Sequence, residues 1–356
     1  MAYTTINKPT DYFNTLIYTG NGSNPRTLTG VGFQPDWVWL KNRTDSNGHT
    51  LADAVRSANK TLSSDGTGAE VTDKSDGHLD AFTSDGFTVG AGTDDARVNN
   101  SGSNYVAWNW LASNTTASNT DGSITSNVSA NTTSGFSIVS YTSNGSASQT
   151  VGHGLGAVPQ MIISKNRDSG SSSYNYWTVY HHSLATANDK KLKLNETEAA
   201  STTNEWGDTD PTSTVYSVHT SGDGTTNHSS DKIIAYCFAE KKGFSKFGSY
   251  TGNGSTDGPM VYTGFKPAFV IQKNTSATQG WQLQDNKRLG YNPDNYLLQP
   301  HTDQSESALQ RVDLLSNGFK VRTTDAGQNA SGNNYIYMAF AESPFTTSTG
   351  VPTTAR

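Results

Sequence analysis

Gly32-Phe33-Gln34-Pro35-Asp36-Trp37-Val38-Trp39-Leu40-Lys41-Asn42-Arg43 is the first of three versions of one phrase in this chain. The second is Gly156-Ala157-Val158-Pro159-Gln160-Met161-Ile162-Ile163-Ser164-Lys165-Asn166-Arg167, and the third is Gly264-Phe265-Lys266-Pro267-Ala268-Phe269-Val270-Ile271-Gln272-Lys273-Asn274. The constant parts are a proline, a spacer, three apolar residues, one variable residue and Lys-Asn. Side chains alternate faces along a strand, so three adjacent apolar residues cannot share a face. Val38, Ile162 and Val270 must point opposite to their neighbours. Both faces of this organising strand are therefore expected to be covered, as in the centre of a packed sheet. The proline suits the first residue of a strand, where its missing N–H does least harm. Lys-Asn is read as the place where the strand returns to solvent.

Other signals recur around this strand. Each repeat opens on a tyrosine and a polar turn: Tyr18-Thr19-Gly20-Asn21-Gly22-Ser23, Tyr141-Thr142-Ser143-Asn144-Gly145-Ser146 and Tyr250-Thr251-Gly252-Asn253-Gly254-Ser255. Asn-Gly tolerates positive φ and favours tight turns. The openings lie roughly 110 to 120 residues apart, which suits duplication of whole domains rather than a solenoid. Further on, Ser84-Asp85-Gly86-Phe87 and Ser316-Asn317-Gly318-Phe319 are hairpin signals. Repeat two keeps the strand Val215-Tyr216-Ser217-Val218 without the Gly turn, so a different connection is expected there. Each repeat closes on an alternating strand: Tyr105 to Trp110, Ile233 to Phe238 and Tyr335 to Phe340. Val106/Trp108/Trp110, Ile234/Tyr236/Phe238 and Ile336/Met338/Phe340 form a heavy face that should be core.

The fold expected is all-β, with three tandem antiparallel β-sandwich repeats of jelly-roll or lectin-like type. The expected divisions are residues 1–111 for repeat one with an N-terminal arm, and 112–135 for a Ser/Thr/Asn-rich linker. Residues 136–246 form repeat two with a long insert, 247–345 repeat three, and 346–356 a flexible tail. Within the linker, Ile124 and Val128 could support one short strand.

With 356 residues, seven Trp and a net charge of −6, the chain can bury several cores and carries no basic footprint. No nucleic-acid or membrane partner is expected. The single cysteine, Cys237, excludes an internal disulfide and reads as a space-filling residue on the lighter face. With no signal segment, the product is expected to begin as a soluble intracellular protein, and the Asn-x-Ser/Thr sites are assigned no glycan.

No catalytic constellation is legible, and no catalytic residue, metal site or cofactor is expected. There is no Gly-x-Ser-x-Gly elbow, phosphate-cradling loop or His-Glu-x-x-His. His181 and His182 are adjacent, and neighbours in a strand point to opposite faces, so they should not share a metal. Glu196, Glu198, Glu205 and Asp208 could be offered as a glycosidase pair, but a solvated acidic loop is the better reading. Gly222-Asp223-Gly224 and Asp65-Gly66 resemble pieces of calcium loops without the regular ligand spacing. Repeat two has the longest divergent middle, and loops on a rigid scaffold carry contacts. Tyr174, Tyr176, His181, His182 and Trp206 are the candidate ligand- or partner-binding residues, stacking on a sugar or anchoring a protein.

The Tyr-Thr-Gly-Asn-Gly and Gly-Phe-x-Pro-x-aromatic-Val…Lys-Asn signals resemble repeats in structural proteins of tailed bacteriophages, of the marine and cyanophage type. Val151-Gly152-His153-Gly154-Leu155-Gly156 and Ala339-Phe340-Ala341-Glu342-Ser343-Pro344-Phe345 resemble the same repeats, and the resemblance runs from Tyr12 to Phe345. It implies a non-enzymatic virion component on the particle exterior, assembled in the host cytoplasm. A tail-fibre or receptor-contacting role comes first, a capsid-decorating or head-fibre role second, and a host-polysaccharide depolymerase last. The partners implied are other virion proteins, further copies of the chain as a homo-oligomer, and a host-surface glycan.

Overall fold

The computed structural model describes residues 3–168, 175–220, 226–288, 292, 296–309 and 311–352. Its regular structure is β-strand, apart from two single-turn 3-10 helices at Pro9–Asp11 and Ala187–Asp189. The organising strands Trp37–Asn42, Met161–Asn166 and Phe265–Asn274 lie inside their sheets, and every residue in them is buried. Each has the same neighbours. On one side is the closing strand (Asn104–Trp110, Lys232–Phe238 or Asn334–Pro344). On the other is a flanking strand (Thr50–Asp53, Trp177–His181 or Gln282–Asp285). An opening strand (Phe13–Thr19, Phe136–Thr142 or Ser245–Thr251) pairs with the far side of the closing strand. All pairings are antiparallel.

A smaller sheet covers one face of each large one. In repeats one and three it is three-stranded and includes the expected hairpin. A Cβ at Gly86 would overlap the Leu28 carbonyl oxygen of the paired strand, and one at Gly318 would overlap that of Val261. Glycine is needed there for close approach. In repeat two, among the described residues, Val215–Val218 pairs only with Gln149–Gly152.

The lighter faces behave as a sandwich requires. Val38, Leu40, Ala52 and Ala107 pack on Leu79, Phe87 and Val89 in repeat one. Val270, Ala339 and Ala341 pack on Leu314, Phe319 and Val321 in repeat three. The heavy faces turn the other way, towards each other. Trp37, Trp108 and Trp110 share one core with Phe136, Tyr236 and Phe238 of repeat two and Phe269 and Phe340 of repeat three. Trp37 stacks on Tyr236 with ring centroids 4.2 Å apart. Phe340 meets Trp110 edge-on at 5.7 Å and Phe238 at 6.0 Å. Trp108 thus lies between repeats, not at the centre of repeat one.

Two sequence expectations are corrected here. The 112–135 stretch is no free linker: Ala117–Asn119 and Ser126–Asn131 extend the large sheet of repeat two beyond its opening strand. The Lys-Asn pairs do not reach solvent. Lys41, Asn42, Lys165, Asn166, Lys273 and Asn274 are all buried. Each lysine follows the heavy-face side of its strand, and that face points into a neighbouring repeat.

Candidate functional site

The buried lysines define three junctions. Lys41 Nζ donates to the Asp303 carbonyl oxygen of repeat three at 3.2 Å. Lys165 Nζ reaches Thr67 O of repeat one at 3.2 Å, and Lys273 Nζ reaches Thr197 O of repeat two at 2.9 Å. The order one to three, three to two, two to one closes a ring. His49, Trp177 and Trp281 occupy one register position beside these lysines, and each makes the same crossing. His49 Nδ1 accepts from Trp39 Nε1, which leaves Nε2–H to donate to Gln299 O at 3.2 Å. Trp177 Nε1 donates to Ser63 O, and Trp281 Nε1 to Lys193 O. Next in line, Glu306 N donates to Arg43 O, Glu70 N to Arg167 O and Ala200 N to Thr275 O. The receiving segments therefore read Ser63/Thr67/Glu70, Lys193/Thr197/Ala200 and Gln299/Asp303/Glu306, with identical spacing. Burial lowers the Lys165 ammonium to about 7 and those of Lys41 and Lys273 to about 8.

Two junctions add an ionic network. Glu70 pairs with Arg167 at 2.8 Å and with Arg56 at 3.1 Å. Arg56 is held in turn by Asp53, whose Oδ2 accepts from Tyr236 OH. Glu306 pairs with Arg43 and Arg288, and Arg288 with Asp285, whose Oδ2 accepts from Trp108 Nε1. Burial opposes the Glu70 charge, but the hydrogen bond from Arg167 and the field of Arg56 outweigh it, holding the carboxyl below its usual range.

The third junction lacks all of this. By register, Thr275 stands where the other two have Arg167 and Arg43, Leu184 where they have Arg56 and Arg288, and Ala200 where they have Glu70 and Glu306. His181 replaces Asp53 and Asp285, and its Nε2 donates to Tyr337 O at 3.1 Å. What remains is a groove of about 560 Å³ between repeats two and three. Its lining mixes apolar Leu184, Ala200 and Ile336 with polar Ser249, Thr251, Asn334 and Lys190, and Ile336 lies directly across the ladder from Ser249. At the corresponding place beside repeat two, Arg167 lies in the cavity and donates to Ser140 Oγ, and the volume is about 360 Å³.

Those of the residues singled out from sequence that the structure describes do not come together as an outer surface. Tyr174 and Gly222-Asp223-Gly224 lie outside the described residues. Tyr176 is half-buried, with the Lys193 ammonium 3.8 Å from its ring centroid. Trp206 is only 1% exposed and meets Tyr180 edge-on, so it is core despite its polar neighbours. His181 is fully buried, and burial drops its imidazole to about 3. His182 lies past the strand end and stacks on His181 with centroids 5.3 Å apart, contrary to the opposite-face expectation. Its Nε2 lies 3.0 Å from Phe247 O of repeat three. The histidine pair thus serves a junction. Glu205 is no member of a solvated loop: it is buried and paired with Lys191 at 2.8 Å. Cys237 is buried on the lighter face, and burial raises its thiol well above the usual range. Among the described residues, no group of three or more His, Cys, Asp or Glu is arranged to hold a metal.

Fold and junctions together define an all-β protein of three antiparallel sandwich units locked in a ring around one aromatic core. The chain belongs to the family defined by a domain of unknown function (DUF7483), whose model matches residues 8–344 and so takes in the whole ring. No curated protein matches it.

Proposed function

We propose that this chain is a bacteriophage virion structural protein on the particle exterior, acting as a tail-fibre or receptor-contacting component. The observation that carries this reading is the ring itself. Three sandwiches are held by buried junctions as one stiff body, which suits a scaffold that bears contacts better than a catalyst that must open and close. Its partners in this reading are other virion proteins, further copies of itself and a host-surface glycan. Immunogold labelling of intact particles tests the proposal: tail-associated label is expected, and its absence from the particle surface would count against it. A capsid-decorating role is the second reading. A body with three similar lobes fits a threefold position on a shell, and imaging of particles lacking the protein separates the two by whether tail or shell density is lost. The depolymerase reading loses its best residue, because Glu205 is buried against Lys191.

A further inference from the structure

We infer that the groove at the third junction is a carbohydrate site that takes one or two pyranose units of a glycan. The proposal rests on the receptor-contacting reading and names where that contact falls. The argument starts from the two junctions that are filled. There, two guanidiniums and a carboxylate occupy the space between repeats. At the third, all three charged groups give way to Thr275, Leu184 and Ala200, yet the backbone contacts on either side persist: Ala200 N still donates to Thr275 O, and Lys273 Nζ to Thr197 O. The walls are therefore held apart while the filling is absent. A gap left by small side chains in a mobile surface would collapse; this one is braced.

The volume of about 560 Å³ lies within the range of ~300–1,000 Å³ usual for small-molecule sites. The lining selects the ligand class. Removal of both arginines leaves no guanidinium fork for a carboxylate or phosphate, and removal of the glutamate leaves no partner for a cation. What lines the groove is mainly hydroxyl, amide and aliphatic, with the Lys190 ammonium and the Tyr250 and Tyr335 rings. Ser249 stands at the register position of Ser140; Ser140 is engaged by Arg167, whereas Thr275 Oγ1 donates to the Asn334 carbonyl oxygen at 3.0 Å. Lys190 Nζ donates to Thr202 Oγ1 at 2.6 Å and has further protons to offer. A pyranose offers both kinds of contact: hydroxyls around its edge for Ser249, Thr251, Asn334 and Lys190, and C–H groups for Leu184, Ala200 and Ile336.

Saturation-transfer NMR on the whole chain, with the methyl glycosides of glucose, galactose, mannose and N-acetylglucosamine as probes, tests the site. Transfer to at least one glycoside is expected. The decisive variant refills the groove with the groups its sister junctions hold: Thr275→Arg, Leu184→Arg and Ala200→Glu together. It should melt no lower than the parent and lose the transfer. If this variant is destabilised, Ser249→Trp, an exposed change that plugs the wall, replaces it and should give the same loss. No transfer to any glycoside, or transfer undiminished in a folded plugged variant, would overturn the site. Particle labelling is read separately: label on the virion without glycoside transfer sinks the groove alone, whereas transfer with no label on particles sinks the virion reading alone.

Discussion

The junction from repeat two to repeat one and the junction from repeat three to repeat two are built on the same frame and filled differently. Both have a buried lysine reaching a carbonyl, a tryptophan N–H reaching another, and a backbone bond beyond. The first then adds Arg56, Glu70 and Arg167, while the second leaves a groove. The difference separates what closes the ring from what occupies it. Closure is done by donors aimed at main-chain oxygens; the ions are an addition that one junction does without.

The largest effect expected is from cutting the ionic filling at its most buried point. Arg56→Ala would leave Asp53 and Glu70 without their shared cation, at a cost of roughly 3–5 kcal/mol, while Thr275→Ala at the neutral junction should be nearly silent. Chemical denaturation of both variants checks the contrast, and equal losses would mean that the ions do not distinguish the junctions. Trp110→Ala removes a ring from the shared core and should cost about 3–5 kcal/mol if the site does not collapse. Calorimetry should show its whole transition shifting as one; a shift confined to one of several transitions would mean that the sandwiches melt separately.

Lys41→Ala comes next. Read from sequence as a solvent-facing change of little consequence, it now strips a donor from Asn42 O and Asp303 O, and should cost about 1–3 kcal/mol for carbonyls left unmet. A pH dependence, spread over three residues instead of one, stands apart from this ranking. Lys41, Lys165 and Lys273 ionise near 7 to 8 in the folded protein, below the free-lysine value of about 10.4. Between those values the unfolded chain binds more protons than the folded one, so stability should rise with pH from about 7 to about 10. The cost of charging the buried amines is fully present below that window. Thermal melts across it test the slope, and replacing all three lysines with Met should flatten it.

Much of each sandwich was legible. The three-apolar run gave a central strand with opposed faces, the alternation gave the closing strand, and the Asp85-Gly86 and Asn317-Gly318 pairs gave the hairpins. Even the Asn-Gly-Ser openings proved structural: Asn21, Asn144 and Asn253 are clasped by the side chains of Asn99, Asn227 and Asn329. What the heavy faces meet was not legible, because alternation tells that a face is buried and not against what. Lys41 was misread for a related reason. A lysine at a strand end ordinarily finds water, and the Asp303 carbonyl that replaces water lies far along the chain in a residue whose identity carries no sign of the role. Trp206 was misread from its polar neighbours, since one indole in a loop can turn inward whatever flanks it. The groove was invisible because Thr275, Leu184 and Ala200, which leave it, lie far apart in sequence, and only the two filled junctions show that anything is missing.

The receiving segments have a consequence for how this sequence can change. Ser63, Lys193 and Gln299 share no chemistry, yet each offers one main-chain oxygen to the same kind of donor. A junction that engages the backbone asks almost nothing of the side chain it engages, so these stretches are free to drift until they look unrelated. They are not free to change length. Ser63, Thr67 and Glu70, and their two counterparts, keep the same intervals, because one inserted residue would carry every later oxygen out of reach. Apart from Glu70 and Glu306, whose carboxylates hold the ionic networks, substitution should be tolerated along these stretches where single-residue insertion or deletion is not.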